Sequence, residues 1–143
     1  MIPTHVIIHC SATQDSGTVS WQAIRRYHTG TLGWSDIGYH FGVELVGKTY
    51  EVLAGRPIDR KGAHCRAAGM NNNALGICFV GDYDHEPPPP EMLALGARYV
   101  AGLCRAFRIP AKYVIGHRDV EDRKTCPGLK FDMDAFRDLL RGQ

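Results

Sequence analysis

No stretch of the 143-residue chain approaches the roughly 18 consecutive apolar residues that a membrane-spanning helix needs. The longest apolar runs, residues 5–10 and 76–81, are strand-sized and interrupted. The amino end has no basic segment followed by an apolar core, so no secretory signal is read there, and the expected location at synthesis is the cytoplasm. Charge of one sign is scarce: 17 Lys and Arg stand against 15 Asp and Glu, a formal net charge of +2. So mild an excess argues against a nucleic-acid partner, although it does not oppose an anionic polymer. The five cysteines, Cys10, Cys65, Cys78, Cys104 and Cys126, show no paired spacing, and five is an odd number. Reduced thiols or a metal ligand are therefore expected, not a disulfide framework.

What is present fits a folded chain. Hydrophobic residues make up 44% and charged residues 22%, which excludes a disordered or collagen-like polymer. With that length and no internal repeat, one domain over residues 1–143 is expected, and a monomer. His5–Cys10 alternates with period 2, placing Val6, Ile8 and Cys10 on one face and His5, Ile7 and His9 on the other. Residues 11–17 are polar and turn-like. Ser20 is placed to cap a helix carrying Ile24, Tyr27 and His28, ended by Gly30. A loop over 34–38 leads into a hairpin of residues 39–46 and 49–53 joined by Gly47 and Lys48.

Residues 54–73 lack periodicity, and a loop of about 20 residues inside a compact domain points to function. Strand character returns over 74–80. Four prolines at 87–90 form a connector whose last member opens a helix with an apolar stripe of Leu93, Ala97, Val100, Cys104 and Phe107, ending near Arg108. A short strand over 113–115 feeds Gly116 and His117. A final helix from Asp132 is expected to bury Phe136, Leu139 and Leu140. The whole predicts an α/β fold with a mixed central β-sheet flanked by helices.

Three residues stand out chemically. His9 closes a strand, His117 follows one, and Cys126 lies in a Lys-Thr-Cys-Pro-Gly turn. Two imidazoles and a thiolate make a three-ligand zinc set, in which a fourth, open position is the mark of a catalytic site. The eight residues between His117 and Cys126 match no tight structural-zinc pattern, and no second Cys pair exists to close a finger. Spacing alone leaves two readings open: a convergent zinc site, or three separate structural residues.

Six segments in order carry a resemblance: Ile7-Ile8-His9-Cys10-Ser11-Ala12-Thr13, Trp34-Ser35-Asp36-Ile37-Gly38-Tyr39-His40-Phe41, Gly62-Ala63-His64, Asn73-Ala74-Leu75-Gly76-Ile77, Gly116-His117-Arg118-Asp119 and Lys124-Thr125-Cys126-Pro127-Gly128. The chain resembles the N-acetylmuramoyl-L-alanine amidases of the phage T7 lysozyme type, which share a fold with peptidoglycan recognition proteins. The resemblance implies one mixed α/β domain with zinc (Zn2+) in a surface cleft, held by His9, His117 and Cys126. It implies Tyr39 and Lys124 as the catalytic pair and His64 as a cleft residue near the substrate. Peptidoglycan is the implied partner, and a phage-type endolysin the implied role. The stretch 65–70 departs from the phage pattern in length. Beside the zinc histidines no Glu follows the H-E-x-x-H pattern, so a carboxylate general base is not indicated; Asp119 and Asp122 suit solvated or outer roles.

Rival readings are a peptidoglycan-binding module that does not cleave, a cytoplasmic amidase of recycled muropeptides, and a thiol hydrolase using Cys10 or Cys126. Strand alternation sets Cys10 and His9 on opposite faces, so that adjacent pair is no working dyad.

Overall fold

Strand β4 (Ala74–Phe79) is buried at every position, the pattern of a parallel strand covered on both faces. It lies at the centre of a five-stranded sheet ordered β3-β2-β4-β1-β5, in a computed structural model that describes residues 1–14 and 20–143. Strand β1 (His5–Cys10) runs parallel to β4 on one side and to β5 (Val114–Gly116) on the other. Strand β2 (Phe41–Val46) also runs parallel to β4, and β3 (Thr49–Ala54) pairs antiparallel with β2 as the hairpin arm. The fold is therefore α/β, with a mixed sheet between helical layers.

One face of the sheet carries Ile8, Ile77 and Phe79 against the long helix α3 (Pro90–Phe107) and the terminal helix α4 (Met133–Arg141). Phe79, Phe131 and Phe136 meet edge to face with centroids 5.2–5.6 Å apart, the arrangement ring quadrupoles favour. The other face carries a smaller cluster in which Trp21, Ile37, Cys78 and Val80 pack beneath helix α1 (Trp21–Arg26). Pro90 stands at the first helical position of α3, where its missing N–H costs nothing, and Arg108 closes the helix in the left-handed conformation. Asp132 caps α4, its carboxylate accepting from Ala135 N at 2.9 Å.

Several expected details differ. Helix α1 does not stop at Gly30; it continues as a wide turn over Tyr27–Thr31. Ser20 holds the N-cap position, but its side chain makes no cap bond. Instead the buried carboxylate of Glu44, on β2, accepts from the backbone N–H groups of Ser20 and Trp21, joining the helix start to the sheet. Sequence periodicity has no access to a cap supplied by another element. Residues 54–73 form mostly loop, but Ala54 belongs to β3, and the end of the segment turns through Ala67–Gly69 into the single-turn helix α2 (Met70–Asn73). Tyr39 precedes β2 and Tyr113 precedes β5. Leu139 is 39% exposed, whereas Phe136, Leu140 and Met133 fill the α4 face, because that face is set by spacings of three and four from Met133. The polar turn expected over 11–17 extends into residues outside those described.

Removing the Glu44 carboxylate orphans two backbone donors at a buried helix start. Glu44→Ala is expected to lower the free energy of unfolding by about 1–3 kcal/mol in urea titrations, without changing the sheet signature in circular dichroism. An unchanged midpoint would mean that Trp21 packing alone seats α1.

Candidate metal centre

The register of β1 with β5 builds the centre. Ile8 pairs with Gly116, so one residue further along the two parallel strands His9 and His117 stand side by side at the carboxyl edge of the sheet. Their ring centroids are 4.7 Å apart. Residues 108 positions apart in sequence thus become neighbours through backbone pairing alone. Cys126 arrives on the loop between β5 and α4. That loop is folded back by Arg118, whose backbone N–H donates to Cys126 O at 2.8 Å and whose guanidinium holds the carbonyls of Gly128 and Phe131.

The ligand-capable atoms of His9, His117 and Cys126 all lie within 4.8 Å of one another. Cys126 Sγ is 3.6 Å from His9 Nδ1 and accepts the backbone N–H of Cys10 at 3.3 Å. The donor set is two imidazoles and one thiol with no fourth protein ligand in the group, a composition that fits zinc with one position left open. Electrostatics favour the same use. Burial pushes the His9 imidazole well below its ordinary value, and the nearby His64 and His117 rings push it further. His117 is lowered chiefly by burial, against the opposing effect of Glu121. His64 is lowered to about 3, again mainly by burial. All three rings are neutral at pH 7, the state in which an imidazole nitrogen can bind a cation. The Cys10 thiol contact and burial raise the Cys126 thiol, so it is protonated when no cation is bound; a divalent cation would reverse that preference.

The sequence-predicted residues divide around this group. Lys124 is exposed and shares a cleft of about 640 Å³ with His64, His117, Glu121 and Trp34. Tyr39 has its ring 5.2 Å from that of His9 and lines a second hollow of about 440 Å³ with Tyr27, His28 and Thr13. Burial raises its phenol well above the usual range, so the hydroxyl keeps its proton at neutral pH. His64 lines the larger cleft, but both of its ring nitrogens bond to the protein: Nδ1 lies 2.9 Å from His9 Nε2 and Nε2 lies 3.2 Å from Ala74 O.

Two participants were not read from the sequence. Glu121 accepts from His117 Nε2 at 3.1 Å, an interaction that the four-residue spacing on a turn makes readable. Arg56 lines the cleft, yet its guanidinium is committed to the carbonyls of Ile37, Lys61 and Asp36, so it ties together loops and is no free cation. Asp119 accepts from Gly116 N at 2.8 Å, a turn contact consistent with an outer role. The Cys10 thiol meets that of Cys126 at the strand end, although the strand alternation separates Cys10 from His9 as expected.

Comparison with known proteins gives a consistent picture. The family model of N-acetylmuramoyl-L-alanine amidases (Amidase 2) matches residues 1–129. Peptidoglycan-recognition protein LB of Drosophila melanogaster is 36% identical over 132 residues, covering 87% of this chain; the match spans about half, 54%, of that relative's own length. The endolysin of Enterobacteria phage K11 is 34% identical over 137 residues, covering 90% of this chain and 82% of the phage protein. Among solved structures, N-acetylmuramoyl-L-alanine amidase LysC from Clostridium intestinale URNW superposes with a TM-score of 0.83 at 27% identity, covering 99% of this chain and 87% of that one. A family match that runs from the first residue through both histidines and Cys126 leaves one assignment, and this chain belongs to the N-acetylmuramoyl-L-alanine amidase family.

Proposed function

We propose that the protein is a zinc-dependent amidase that hydrolyses the bond between the lactyl group of N-acetylmuramic acid and L-alanine in peptidoglycan, and that it acts as a phage-type endolysin. The observation that carries this reading is the convergence of His9, His117 and Cys126, with Lys124 in the cleft that His117 lines and the Tyr39 ring 5.2 Å from that of His9. Similarity to the K11 endolysin and to the Clostridium amidase supports it.

An amide is a poor electrophile and water a poor nucleophile at neutral pH. A zinc ion held by His9, His117 and Cys126 would supply Lewis acidity to both. The remaining work falls to side chains. Negative charge develops on the carbonyl oxygen as the amide is attacked, and the Lys124 ammonium on the cleft wall offsets it. Tyr39 keeps its proton, so its hydroxyl donates one hydrogen bond and accepts another, which suits it to orient the attacking water. Glu121 and His64 hold the outer nitrogens of the two histidines.

A second reading is a module that binds peptidoglycan without cutting it, since several of the relatives carry recognition and not hydrolysis in their names. Digestion of purified peptidoglycan separates the two. The amidase reading expects new L-alanine amino groups and no new reducing ends, with release abolished by a zinc chelator and restored by zinc. Binding of the polymer by zinc-loaded protein without any release would establish the recognition module.

Two substitutions test the roles. Cys126→Ser is expected to remove stoichiometric zinc and activity together, since an alcohol is a far weaker zinc ligand than a thiolate; zinc retained at one per chain would refute the ligand assignment. Lys124→Ala is expected to keep zinc but lose roughly 10²–10³-fold in turnover, the scale of one preorganised oxyanion donor. Undiminished turnover would make Lys124 an ordinary surface charge.

A further inference from the structure

We propose that His64 is a positioning residue, which locks His9 in the tautomer whose Nδ1 is free to bind the metal. The inference rests on the metal reading of the His9, His117 and Cys126 group. It departs from the expectation that His64 contacts substrate, because neither ring nitrogen is left for that purpose.

The protons can be assigned in order from one fixed point. Ala74 O is a carbonyl and can only accept, so His64 Nε2, 3.2 Å away, carries the hydrogen. A neutral imidazole has one N–H, so His64 Nδ1 presents a lone pair. That lone pair faces His9 Nε2 at 2.9 Å, which must then carry the hydrogen of the His9 ring. His9 Nδ1 is left with its lone pair, on the side where Cys126 Sγ lies 3.6 Å away. A backbone carbonyl on β4 thereby dictates the state of a ligand atom two rings distant.

The scaffold holds the first ring of this relay still. A Cβ at Gly76 would lie 2.5 Å from His64 Cγ, and one at Gly62 would collide with Cδ2 of the same ring, so the imidazole lies against two bare backbones. Asn71 Oδ1 accepts the backbone N–H of His64 at 2.8 Å, fixing the residue at its root. Gly62 N in turn donates to Asn71 O at 2.8 Å, which closes the loop around the ring. A residue free to swing into the cleft for a substrate would not require this confinement. The relay is also uncharged, whereas the corresponding outer partner of His117 is the carboxylate of Glu121. A neutral partner suits the more deeply buried of the two histidines, where an ionised carboxylate would need further partners.

The test uses the full-length protein with His64→Phe, which keeps a ring but no nitrogen, and His64→Gln, whose amide oxygen can accept from His9 Nε2. The first readout is nitrogen NMR of the metal-free wild type, where His9 is expected as a single tautomer protonated at Nε2. A His9 ring protonated at Nδ1 in that sample overturns the proposal without recourse to any variant. The second readout is zinc affinity by competition with a chromophoric chelator. His64→Phe is expected to bind zinc 10–100-fold more weakly, the usual effect of losing an outer partner of a histidine ligand, and His64→Gln to recover part of that loss. Unchanged zinc affinity in a folded His64→Phe protein, with KM alone raised, would return His64 to the substrate and overturn the positioning role only. Wild-type protein that takes up no zinc would overturn the metal reading and this role with it.

Discussion

The parallel pairing of β1 with β5 is the constraint on which the site depends. Backbone hydrogen bonds fix Ile8 opposite Gly116, and the next residue on each side is a histidine, His9 within β1 and His117 at the turn that leaves β5. Because side chains alternate with a period of two, slipping this register by one residue would turn one imidazole to the other face and separate the pair. The sheet therefore specifies the distance between the two histidines more tightly than any loop could. The crevice beyond the carboxyl ends of parallel strands is a common place for a site in open α/β sheets, since strand ends are rigid and the loops that leave them diverge. Here the divergence places Cys126 on the third side.

Around that pair, the loops are fastened chiefly by single side chains that each reach several backbone groups. Arg56 gathers three carbonyls from the segments on the cleft side, and Arg118 gathers two from the segment that delivers Cys126. Asn71 Oδ1 accepts from two successive backbone N–H groups, those of His64 and Cys65. Charge-assisted bonds to buried carbonyls are among the stronger hydrogen bonds available to a loop, so a few such residues replace secondary structure where the chain must stay irregular. Arg56 and Arg118 are consequently structural, whereas Lys124 is exposed and lines the same cleft as His117.

Much of the fold was legible because its signals are local. The alternation at His5–Cys10, the hairpin turn at Gly47 and Lys48, Pro90 opening α3 and Asp132 opening α4 each involve residues within a few positions of one another. What escaped was non-local. The Glu44 cap comes from a strand, and the seating of His64 depends on Gly62 in the preceding loop and on Ala74 and Gly76 of β4. The misassigned Leu139 reflects a phase error: helical spacing from Phe136 admits positions three and four later, and only the second faces the sheet. His9, His117 and Cys126 were readable as a chemically coherent set, but their meeting is a property of sheet register, which no window of sequence contains. Glu121 is the exception, being four residues from His117 and within reach of a local argument.

The two most distant members of the trio, His9 and Cys126, are separated by 117 positions, so the centre cannot pre-exist in any short segment of an unfolded chain. Closing so large a loop carries an entropic cost that is met only when most of the sheet has formed, which places assembly of the centre late in folding. A cation bound there is consequently linked to the global unfolding equilibrium and not to the fraying of one loop. Its binding free energy adds to the stability of the whole domain by mass action, and hydrogen exchange in the central strand β4 would slow along with that at the ligands themselves.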